Sequence, residues 1–144
     1  MEPRDVLNAG AKELEGLLVP HGFVFRVSDE GKSSGGKYAS GEYQRGDRRL
    51  ELHFRWSLGL VKYHLGRWSL GHAEYVRAVQ AVTGASVEPA YPGFSEDPLA
   101  AFRHLGQDLE HFGEVFLGGS DAAFAELHTW ASEHPMPRGL AALP

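Results

Sequence analysis

Apolar positions near the start of the chain recur at helical spacing. Leu7, Ala11, Leu14, Leu17 and Leu18 fall on one stripe of a helix from Pro3 to about Val19. Pro3 suits a first helical turn, and Pro20 with Gly22 ends the element. The period then changes to two. Phe23, Phe25 and Val27 alternate with polar residues and predict a strand through Ser28. Asp29 to Gly36 is polar and glycine-rich and reads as a loop. Tyr38–Arg45, Arg49–Trp56 and Leu60–Leu65 continue the alternation as three more strands of an antiparallel meander.

Register follows from the turns. With Arg45 opposite Arg48 across a Gly46-Asp47 turn, Tyr43 faces Leu50, Gly41 faces Leu52 and Ala39 faces Phe54. A turn at Ser57-Leu58 with Trp56 opposite Gly59 sets Phe54 against Val61, Leu52 against Tyr63 and Leu50 against Leu65. Both placements sort the same side chains to the same faces. The polar face then gathers Tyr38, Glu42, Glu51, His53, Arg55, Lys62 and His64, with His64 beside Glu51 and Lys62 beside His53. A slip of one residue would mix the faces.

The second half is helical. His72–Thr83 carries Val76, Val79 and Val82 and stops at Gly84. After a connector with Pro89 and Pro92, Asp97 caps a helix from Pro98 to about Phe116, with its stripe at Phe102, Leu105, Leu109, Phe112 and Phe116. Gly118-Gly119 breaks it, and Ser120 caps a last helix through about Ser132. The expected fold is α+β: an N-terminal helix, a four-stranded antiparallel meander, then three helices on one sheet face. Residues 1–133 form one domain and 134–144 a loosely held tail containing prolines.

Composition narrows the chemistry. A chain of 144 residues buries roughly two thirds of its unfolded surface without staples. It has no cysteine, which removes thiol catalysis and Cys-based zinc sites and fits a reducing, cytoplasmic setting. The start of the chain shows no basic, apolar leader, and no apolar run approaches the ~20 residues of a membrane span. A net charge of −5 argues against nucleic acid as partner.

Motif by motif, little points to catalysis. Gly31 to Lys37 spells most of a phosphate-binding loop, but Tyr38 replaces the magnesium-binding hydroxyl and a strand follows instead of a helix. Arg45-Gly46-Asp47 is explained by its turn. His104, Asp108 and His111 lie opposite the Phe102–Phe116 stripe and read as a solvated helix face. No nucleophile elbow or zinc-protease motif occurs, and no cofactor or metal is implied. Trp68 and Tyr91 fall in connectors, where an aromatic can anchor a partner.

The leading helix, the His21-Gly22-Phe23 entry into the first strand, the run Leu52-His53-Phe54-Arg55-Trp56-Ser57-Leu58-Gly59-Leu60 and the helical second half together resemble small bacterial α+β proteins of unknown function. These include immunity proteins of polymorphic toxin systems. The resemblance implies a non-enzymatic domain that binds and neutralises a protein partner. The polar sheet face and the connector aromatics supply the expected binding surface, Tyr38, Glu42, Glu51, His53, Arg55, Lys62, His64, Trp68 and Tyr91. The alternative is a small metal-dependent or acid/base hydrolase built on Glu42, Glu51, His53 and His64. A homodimer through an exposed sheet edge is a third expectation.

Overall fold

The computed structural model describes residues 2–136. Helix α1 spans Pro3–Leu18 and passes through one 3-10 turn, Val19–His21, to Gly22. The strands are β1 (Val24–Ser33), β2 (Gly36–Arg45), β3 (Arg48–Phe54), β4 (Leu58–Leu65) and β5 (Trp68–Gly71). They form one antiparallel sheet in the order β1-β2-β3-β4-β5. Helices α2 (His72–Thr83), α3 (Ala100–Phe112), α4 (Glu114–Leu117) and α5 (Asp121–Glu133) complete the fold. The α+β class stands as the sequence implies it, and three corrections concern its parts. The expected tail from His134 onward lies mostly outside the described residues.

First, the sheet has five strands. The fifth follows a second tight turn, Gly66-Arg67, with Leu65 opposite Trp68. Four residues are too few to show an alternation, so the sequence pattern misses them. Second, the stretch expected as a loop at Asp29–Gly36 is the far arm of the β1–β2 hairpin, with Lys32 opposite Lys37 and Ser33 opposite Gly36. Its side chains are exposed, so backbone pairing holds it without an apolar pattern to announce it. Third, the helix expected over Pro98–Phe116 breaks at Gly113 into α3 and α4. Asp97 sits two residues before the cap position, Leu99: its Oδ1 accepts from the Leu99 N–H at 2.9 Å, and the helix opens at Ala100. Ser120 caps α5 as expected, accepting from the Ala123 N–H at 3.1 Å.

The β2–β3 register is the expected one, with Arg45 opposite Arg48, Tyr43 opposite Leu50 and Ala39 opposite Phe54. The β3–β4 register differs by two residues. Leu50 faces Tyr63, Leu52 faces Val61 and Glu51 faces Lys62. The chain turns through Arg55–Ser57, so Phe54 pairs with Leu58 and Gly59 becomes a bulge. This buries Leu58 in the core and leaves Trp56 at the tip of the turn. A shift of two keeps every side chain on its face, so alternation cannot distinguish the two registers.

All the helices lie on the apolar face. Tyr43 donates to the Ala11 carbonyl, Phe102 stacks on Phe54 at 6.3 Å, and Tyr63 stacks on Tyr75 at 4.1 Å. α1 and α3 come close at Gly10, where a Cβ would lie 2.4 Å from the Phe102 ring. Two arginines from the β2–β3 turn fasten the sheet to the helical half. Buried Arg48 donates to the carbonyls of Val115 (3.0 Å), Phe116 (2.7 Å) and Gly119 (2.6 Å) and to Asp121 Oδ1 (3.0 Å). These carbonyls close a helix end, where a cation satisfies orphan acceptors. Arg45 donates to the carbonyls of His21 and Leu117 and lies over the Phe23 ring. The Arg45-Gly46-Asp47 tripeptide is thus a structural turn.

Candidate partner-binding surface

The face of the sheet away from the helices carries the polar residues that the alternation assigns to it. Glu42 is central: its two carboxylate oxygens accept from Arg26 Nη2 at 3.3 Å and Arg49 Nη1 at 3.2 Å. These long neighbours cover it, leaving it 7% exposed on an otherwise open face. His64 Nε2 lies 2.8 Å from Glu51 Oε1. The pair exists although Lys62, not His64, is directly opposite Glu51, because diagonal neighbours on a sheet remain in reach. Lys62 is not beside His53, which faces Leu60.

His53 makes a separate set of contacts. Its Nδ1 lies 2.6 Å from Ser40 Oγ and its ring stacks on Tyr38 at 5.4 Å. Tyr38 donates to Asp29 Oδ2 at 3.1 Å, and that hydrogen bond, with the carboxylate charge, raises the phenol pKa. The Arg55 guanidinium lies over the Tyr38 ring at 5.5 Å and donates to Ser33 Oγ and the Gly36 carbonyl. The two imidazoles therefore engage different partners. Among the described residues no three His, Asp or Glu side chains gather at metal-binding spacing. Charges of both signs share this face, Arg26, Arg49, Arg55 and Lys62 beside Glu42 and Glu51.

Trp68 and Tyr91 do not join that face. Trp68 is half-buried against the core, its ring 6.2 Å from His128. Tyr91 packs edge-on against His72 at 5.1 Å and donates to the Leu58 carbonyl. Burial pushes its phenol up to about 12.

The expected solvated face of α3 needs a larger correction. Asp108 is 1% exposed. Its carboxylate accepts from the backbone N–H groups of Ala90 (2.6 Å) and Tyr91 (3.0 Å) and meets His72 Nε2 at 2.8 Å. His72 Nδ1 in turn lies 2.8 Å from the Tyr63 hydroxyl. Tyr63 is fully buried and desolvation drives its pKa well above 10, so its O–H stays protonated beside Nδ1. His72 then donates to Asp108 through Nε2. Desolvation pushes Asp108 upward, but the hydrogen bonds from His72, Ala90 and Tyr91 outweigh it and hold the carboxyl below its ordinary pKa. The chain Tyr63–His72–Asp108 ties β4, α2, α3 and the connector into one unit. Two cavities, about 600 and 360 Å³, adjoin it and share His72, Ala73 and Tyr91 as walls. The helical spacing gives no signal of this burial, since it places Asp108 off the Phe102–Phe116 stripe.

The aromatics that do stand free are Trp56, 80% exposed, and Phe94, fully exposed. Trp56 tips the β3–β4 turn and Phe94 lies in the connector before α3. A groove of about 290 Å³ runs from Trp56 to the residues flanking Phe94, Gly93 and Ser95, and on to Glu96, Asp97 and Pro98. A second, about 470 Å³, lies on the other side of Trp56, against Pro3, Val6, Phe54 and Pro98. One edge of the indole lies close to the Gly36 backbone. At Gly36 (φ +104°) a Cβ would meet its Cζ2 at 2.8 Å, so only glycine suits both the backbone and the ring. Alternation alone puts Trp56 on the same side as Phe54, and the three-residue turn removes it from the core.

Comparison with known protein families, with curated proteins and with solved structures finds no match. No helix among the described residues is long and apolar enough to cross a membrane.

Proposed function

We propose that this chain is a non-enzymatic protein-binding domain, and that neutralising a toxin, in the manner of an immunity protein, is its particular role. The observation that carries the reading is the pair Trp56 and Phe94, two large aromatics left in water on neighbouring loops while the other large aromatics of the fold are wholly or partly packed. Exposed apolar surface of this kind is costly to maintain, and aromatic anchors dominate binding energy when a partner covers them. Trp56 lies beside Gly36 at the tip of a tight turn, where a partner can reach most of its ring. The grooves on both sides of it give a partner's side chains somewhere to go. The mixed-charge sheet face serves as a polar flank, where pairing sets orientation more than affinity.

The test is affinity capture from cells of the source organism at low and high salt, comparing the native chain with Trp56→Ala/Phe94→Ser. Both side chains are exposed, so circular dichroism of the variant should match the native chain. A protein retained by the native chain and lost from the variant supports the reading. Equal retention by both, or by neither, overturns it.

A further inference from the structure

The groove between Trp56 and α3 has a charge of its own. Among the described residues that line it, the charged side chains are Glu96 and Asp97, both acids. Asp97 is already engaged, accepting from Arg103 Nη1 at 2.8 Å and from the Leu99 N–H; those bonds lower its pKa and keep it ionised. Arg103 is likewise held, between Asp97 and Glu13 at 3.2 Å. Glu96 is exposed and makes no hydrogen bond or ion pair among the described residues. The other wall is the Trp56 indole. A carboxylate without a partner and an indole lining one groove suit one kind of guest, a cation with a flat or slender apolar stem.

On the opposite side of Trp56 the balance reverses. Lys37 is paired with Glu2 at 3.1 Å, and Arg55 donates to neutral oxygens of Ser33 and Gly36. The indole therefore divides an anionic groove from a weakly cationic one.

We infer that the Trp56–Glu96 groove receives a basic side chain, arginine above all, of a protein partner. The inference rests on the binding-domain reading and deepens it by stating the partner's chemistry. A guanidinium stacks on the indole with its plane and donates from its edge to Glu96, two demands that an acidic or neutral side chain cannot meet. The groove's volume, about 290 Å³, suits one such side chain and not a folded ligand.

The experiment uses the full chain and an oligo-arginine peptide, with oligo-glutamate as control. The readout is the Trp56 indole N–H resonance, assigned by its loss in Trp56→Phe. Oligo-arginine should shift it saturably and oligo-glutamate should not. Glu96→Gln should weaken binding by about threefold, the scale of an exposed ion pair, and Trp56→Leu, followed through the Glu96 amide, by about fivefold. Glu96→Lys should abolish the shift. No shift with oligo-arginine, or the same affinity in Glu96→Lys, overturns the inference. The two readings fail separately. Capture that needs Trp56 and Phe94 but ignores Glu96→Lys sinks the basic guest and leaves the binding domain. Saturable peptide binding with no captured protein sinks the protein partner and leaves the chemistry of the groove.

Discussion

Arg48 offers the most demanding test of how the two halves are joined. Its buried guanidinium gives four hydrogen bonds, three to backbone carbonyls around α4 and one to the exposed carboxylate of Asp121. Arg48→Met keeps much of the stem and deletes the donors. Three carbonyls then lose their partner. Each would cost about 1–3 kcal/mol if left dry, and the α4–α5 loop is near enough to the surface for water to recover part of that. Relief from burying a charge offsets a further share. The expected loss is about 3 kcal/mol, or roughly 10 °C in Tm for a chain of this size. Arg48→Lys should fall between the two, because one ammonium cannot span the same carbonyls. Urea unfolding followed by far-UV and near-UV circular dichroism measures both variants. A loss below about 1 kcal/mol for Arg48→Met, or equal losses for Met and Lys, would refute the claim that this fork holds the helical half to the sheet.

The remaining predictions concern the interior. Asp108 has a folded pKa below its unfolded value, so its contribution is complete above the unfolded value near pH 4 and disappears as pH falls through the folded one. Asp108→Asn should be less stable at neutral pH but lose less on acidification than the native chain; parallel acid limbs in a stability-versus-pH series would contradict this. Gly10→Ala puts a methyl group into the Phe102 ring and should cost about 2 kcal/mol, partly recovered by Phe102→Leu in a double-mutant cycle. Additive losses would mean that α1 and α3 do not meet there as described.

The sequence alone settled the sorting of side chains. From Tyr38 to Leu65, alternation assigns Glu42, Glu51, His53, Lys62 and His64 to one face and Leu50, Leu52, Phe54 and Tyr63 to the other, because a strand has no other way to separate water from oil. Both glycine-stopped ends, at Gly22 and Gly84, are equally local and equally legible, each with φ in the left-handed region. Tertiary structure decided what local pattern leaves degenerate. A two-residue shift of β4 leaves the faces unchanged, and the packing of Leu58 beside Phe54 selects between registers and sends Trp56 into water. The β1–β2 arm is held by paired backbone, which has no side-chain signature. Asp108 reads as a solvent residue until the connector returns two N–H groups and α2 brings His72 to it. Such long-range pairing is invisible to any window of sequence, since its partners lie 17 to 36 residues away.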